Sequence, residues 1–264
     1  MRRSAAALLA LAAATPAAAQ DREFCPERPG LETQACIVDR GRVTIESSLI
    51  DWTRDRQSDG VTDTILVGDT LVRVGVTDRL EVRAGWQPFG HERTRDVATG
   101  DIDRAKRVGD AVIGLKASLL HPDGKGLSIA ILPSVTLPVG RQPIGAGRAQ
   151  PSLLLPLSYD VSDTVEIAVT PAIRALANED AGGQHVRYGA AAGVTVKLSE
   201  AVSVGADASL ARDQDPRDHT TRARAAMTLA WQPKDDWQLD TSAIAGLNRD
   251  TPDVQLIAGV ARRF

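Results

Sequence analysis

The chain has 264 residues, 31 Lys and Arg against 34 Asp and Glu, and a net charge of −3. So even a balance carries no electrostatic footprint for nucleic acid. Beyond the first twenty positions there is no apolar run of about twenty residues, so no transmembrane helix can be drawn, and a membrane protein of this sequence would have to be a barrel.

Residues 1–20, MRRSAAALLALAAATPAAAQ, combine basic Arg2 and Arg3, the apolar stretch Ala5 to Ala14 and small Ala17 and Ala19. That order predicts a cleaved secretory signal peptide. Residues 21–41 follow as a periplasmic segment holding Cys25 and Cys36, the two cysteines of the chain. Export to an oxidising compartment predicts a disulfide between them, worth roughly 3 kcal/mol in the chain-entropy picture. Pro26, Pro29 and Gly30 argue against a helix there. The segment is expected to cap or enter the mouth of whatever follows.

From 42 to 264 the dominant period is two. In TVEIAVTPAIR, Val165, Ile167, Val169 and Ile173 alternate with Glu166, Thr170 and Arg174. About twelve segments read this way, each too long for the usual soluble strand and suited to a tilted span of about nine to eleven residues. They cover 42–54, 62–76, 79–89, 106–119, 127–138, 150–160, 164–176, 185–198, 201–211, 221–232, 236–248 and 253–264. Tight turns (TDR, VSD, LSEA, PKD) alternate with polar stretches such as RDRQSDGV, HERTRDVATGDIDR, GRQPIGAGRAQ, NEDAGGQ and RDQDPRDHT. The expected fold is all-β: a transmembrane antiparallel up-and-down β-barrel of about twelve strands, with short periplasmic turns and longer external loops.

Aromatic residues are only 3% of the chain but sit where two interfacial girdles would be. Tyr159, Trp231, Trp237 and Phe264 fall near the periplasmic rim, and Trp52, Trp86, Phe89 and Tyr188 near the outer one. Trp52 is out of phase with Val43, Ile45 and Leu49, which calls for a bulge near Asp51.

If the apolar faces meet lipid, the opposite faces line the lumen. The lumen candidates are Glu46, Asp69, Arg73, Glu81, Arg83, Asp110, Lys116, Glu166, Arg174, Arg187, Lys197, Asp207, Arg222, Arg224 and Asp240. Their signs nearly balance, and twelve strands make a narrow barrel, so these charges should pair and constrict the path or brace the wall. No catalytic site is expected. Ser58 and His91 share a rim by location, but no triad order supports them. Asp213, Asp215 and Asp218 lack the glycine and glutamate of a calcium loop, so no metal or cofactor is expected.

The cysteine pair, the opening GRVTIESSLIDWTRDR, the amphipathic strands and Phe264 together resemble the outer-membrane transporter family named for the MetA pathway of phenol degradation. The resemblance runs from about Cys25 to Phe264, with DWTRD its most specific part. It implies a Gram-negative outer-membrane barrel that passes small, often aromatic or hydrophobic, molecules, and it transfers no substrate site to particular residues. The end of the chain also resembles a barrel-assembly signal: Gly259 and Phe264 fit, Ile257 and Arg262 depart. The expected partners are outer-membrane lipid, the barrel-assembly machinery and a small-molecule solute, with no nucleic acid. The competing readings are a structural or surface-interaction barrel without conduction and, further off, a barrel enzyme acting on lipid.

Overall fold

A computed structural model describes residues 22–178 and 182–264. The predicted signal peptide lies outside the described residues. The elements are all strands: β1 (Val43–Arg56), β2 (Gly60–Val67), β3 (Asp69–Thr77), β4 (Leu80–Trp86), β5 (Phe89–Asp96), β6 (Ile102–Arg107), β7 (Ala111–Leu120) and β8 (Leu127–Leu137). They continue as β9 (Gln150–Leu154), β10 (Leu157–Ser162), β11 (Val165–Ala177), β12 (Gln184–Lys197), β13 (Val202–Asp213), β14 (Thr221–Lys234), β15 (Trp237–Gly246) and β16 (Val254–Arg263).

Four pairs of consecutive elements prolong one another, so these strands form a closed antiparallel barrel of twelve staves. Gly68, at φ 74°, separates β2 from β3, and Pro156 separates β9 from β10. Proline cannot donate to a ladder, so a break there follows from its chemistry. Closure is made by β1 on β16, with Thr44 opposite Arg263 and Arg54 opposite Val254. Phe264 N–H donates to Val43 O at 2.8 Å, and Val43 N–H donates to Phe264 O at 3.2 Å.

The predicted bulge in the first strand is real but falls at Leu49, between Ser48 and Ile50. It brings Trp52 and Ile50 into phase with Ile45. A larger difference concerns HERTRDVATGDIDR, expected as an external loop. The structure runs β5 and β6 through it as a hairpin in which His91 opposes Lys106 and Arg93 opposes Arg104. Hydrophobic alternation marks only the part of a strand that meets lipid. Where a hairpin rises into water both faces are polar, the period vanishes, and the backbone ladder continues unannounced.

The barrel is apolar outside and charged within. Leu119, Ile173, Leu210 and Met227 stand exposed on its outer surface, at 49–62% of their full area. Arg73, Glu81 and Lys116 inside it are fully buried. A water-soluble monomer does not display an apolar belt of this extent. The exposed rings Trp86, Phe89 and Tyr188 lie toward one end of the belt, and Tyr159, Trp231 and Phe264 toward the other. Arg262, the residue that departs from the assembly pattern, lies over Trp237 at 5.1 Å and over Phe264 at 4.5 Å. Its charge is thus accommodated at the interface by two ring faces.

Candidate functional site: a plugged lumen

Residues 22–42 fold into the barrel interior from one rim, and most of the lumen charges are organised around them. The Cys25–Cys36 disulfide, with Cα atoms 6.5 Å apart, gathers this segment into a loop. Cys36, Ala35, Ile37 and Val38 are buried, although they belong to no strand. Proline and glycine keep the loop irregular, so its polar groups need partners on the wall.

Glu27 meets the largest group of these partners. Arg83 grips its carboxylate with two hydrogen bonds, of 2.8 and 2.6 Å. Lys116 Nζ donates to Oε1 at 2.9 Å, and Arg73 Nε lies 3.9 Å away. Arg73 is itself held by Glu81 and Glu46, each at 2.9 Å. The wall therefore offers three cations against two carboxylates, and Glu27 of the loop completes the balance. Burial alone would push the Glu27 carboxyl up, but Arg83, Lys116 and Arg73 hold it well below its ordinary range.

Four further anchors fix the loop. Arg28 pairs with Asp240 at 3.0 Å and donates to Ser48 Oγ at 2.6 Å. The guanidinium lies over Gly259, where even a methyl group would collide with it. Leu31 N–H donates to Asp207 at 3.1 Å, and Thr33 N–H donates to Thr170 Oγ1 at 2.9 Å. Val38 N–H closes onto Glu81 at 2.8 Å. At Gly75 the loop backbone passes so close that a Cβ would strike Val38 O. Glu32, buried at the inner end of the loop, faces Asp207 above Gly193. Burial, and then the Asp207 charge, push its carboxyl up to about 7.

The remaining predicted residues fall into distinct places. Asp69 borders a cavity of about 250 Å³ beside Arg28. Glu166 faces Gln34 of the loop. Lys197 pairs with Glu23 at 2.7 Å. Asp110 is turned instead to the connection 138–149, accepting from the Gly140 and Ala146 N–H groups at 2.9 and 2.7 Å. Arg174, Arg187, Arg222 and Arg224 gather beyond the tip of the loop, around a second cavity of about 180 Å³. His91 Nδ1 lies 3.2 Å from Ala105 O, in the ladder of β5 and β6. Asp213 and Asp215 approach the two nitrogens of His185 at 2.7 and 3.2 Å. Among the described residues no group of three His, Cys, Asp or Glu side chains could hold a metal ion.

Twelve antiparallel staves with an apolar belt, aromatic rims and a charged interior define a barrel of the outer-membrane class. A family profile described as "Putative MetA-pathway of phenol degradation" matches residues 27–264. The chain belongs to that family. The solved COG4313 outer membrane channel from Pseudomonas putida F1 is similar to it at 14% identity and a TM-score of 0.69, covering 93% of this chain and 99% of that one. The translocator domain of the autotransporter NalP from Neisseria meningitidis is similar at 15% identity and a TM-score of 0.56, covering 85% of this chain and 88% of that one. No curated protein matches the sequence.

Proposed function

We propose that this protein is a passive outer-membrane channel for small molecules, with residues 22–42 as a plug that narrows the path. One observation supports this above the rest: the plug is held by ion pairs and hydrogen bonds to an otherwise charged lumen, rather than by a dry apolar core. Water entering the lumen can replace polar contacts of this kind, as it cannot replace a dry core, so the plug can loosen while the wall stays closed. Family membership supports aromatic or hydrophobic solutes as the class carried. The reading includes export by a cleaved signal peptide, residence in the outer membrane of a Gram-negative cell, and insertion by the barrel-assembly machinery. No enzymatic step is part of it.

Uptake into liposomes carrying the purified protein tests passage. Phenol and similar small neutral solutes should enter faster than into protein-free liposomes. Absence of uptake for every solute would favour the second reading, a structural barrel without conduction, which the filled lumen also fits. Gly259 and Phe264 serve the assembly reading. Deleting Phe264 removes two closing backbone hydrogen bonds and a ring stacked on Arg262, a loss of about 3 kcal/mol. The heat-modifiable folded fraction in outer membranes should fall severalfold, and an unchanged fraction would count against it.

A further inference from the structure

Beyond the plug tip lies the cavity of about 180 Å³ whose floor includes Leu31 and Thr33 and whose wall carries Arg174, Arg187, Arg222 and Arg224. These arginines come from β11, β12 and β14, in the outer half of the barrel. Arg174 stands directly opposite Arg187 across the β11–β12 ladder. Like charges in directly opposed positions destabilise a sheet unless something of opposite sign lies between or beside them. Asp213 supplies part of that: it binds Arg187 and lies 3.8 Å from Arg222. It is shared with His185. Asp51 also attracts Arg224, but its oxygens accept from the Gln255 amide at 3.0 and 2.9 Å. Among the described residues, Arg174 and Arg224 form no ion pair with any carboxylate. The deeper lumen is different: there each buried cation has its acid, supplied by the wall or the plug.

We propose that this cavity is a binding subsite for a small organic anion, a carboxylate with a compact apolar body. Arg174 and Arg224 take the carboxylate, and Leu31 with Ala172 and Leu154 provides apolar contact for the body. Guanidinium groups suit this ligand because their forked donors match the two oxygens of a carboxylate. The inference deepens the channel reading, naming one class of solute that would pause above the plug, but binding itself needs no passage.

The test is equilibrium binding to the full folded protein in detergent micelles, by titration calorimetry at low ionic strength. The probes are benzoate, neutral benzyl alcohol and cationic benzylamine. Benzoate should bind at least about tenfold more tightly than benzyl alcohol, as expected for charge-assisted hydrogen bonds, and benzylamine should not bind. Arg174→Gln and Arg224→Gln should each weaken benzoate about tenfold and leave benzyl alcohol unchanged. The heat-modifiable gel shift confirms that each variant is folded, and if one fails to fold the other decides. Equal binding of benzoate and benzyl alcohol, or benzoate affinity within twofold of wild type in the folded variants, overturns the subsite. Failure of phenol uptake in liposomes with benzoate binding intact would instead remove the channel reading and leave the subsite standing.

Discussion

Replacing Glu27 by alanine should loosen the plug and weaken the whole barrel. The side chain is the common partner of Arg83, Lys116 and Arg73. Without it the wall keeps three buried cations and only Glu46 and Glu81 to answer them. Removing one member of a buried ionic group costs about 3–5 kcal/mol, because the survivors cannot recover their hydration. The deficit can be relieved only by water entering the inner half of the lumen, which requires the loop to lift. Single-channel conductance should therefore rise severalfold as the folded barrel loses thermal stability. Glu27→Gln should fall between, since an amide keeps the size and one acceptor but not the charge. A glutamine variant as closed and as stable as wild type would show that packing, not charge balance, seats the plug.

The second large effect is a pH dependence of plug seating. In the docked loop Glu32 keeps its proton up to about pH 7, because it is buried and faces Asp207 with Glu166 nearby. A solvated glutamic acid loses it near the ordinary value of 4.5. Between those values the docked form binds a proton that the undocked form does not, so docking is favoured at the acid end. It weakens as pH rises through the window and has lost this contribution above about 7. Conductance should be low at pH 5 and higher at pH 8. Glu32→Gln, which carries no titratable proton, should stay closed across the range. Matching pH profiles for wild type and variant would exclude Glu32 as the sensor.

How much of this could be read from residue order depends on what casts a periodic shadow. Twelve staves, their lipid faces and the rims were legible because lipid forces strict alternation on any strand that crosses it. The same alternation sets charged residues on the faces opposite lipid, among them Arg73, Glu81 and Lys116, which the structure buries. The partners of those charges were not. Glu27, Arg28, Leu31 and Thr33 lie in an irregular stretch with no period, and period two says nothing about what fills a lumen. One trace did exist: Gly75 and Gly259 interrupt inner faces at the places where the loop presses on the wall. Read as ordinary small residues, or for Gly259 as part of an assembly signal, they gave no hint of a guest. The grouping of Arg174 with Arg224 was likewise hidden, because strand register across the four staves β11 to β14 sets it.

The loop also has a mechanical property. Arg22, at its start, donates its N–H to Asp39, near its end, at 3.0 Å. The same arginine reaches Asp78 O in the tight turn between β3 and β4, and its carbonyl accepts from Arg263 at 2.6 Å. Both limbs thus cross one rim, and only the bend with Leu31 goes deep. Such a segment is a finger in a ring rather than a thread through it. It can be withdrawn and returned without any chain end passing through the barrel, and the ring can be closed before the finger is inserted. Cross-linking the limbs to each other would leave that motion free, whereas cross-linking the fingertip to the wall would stop it.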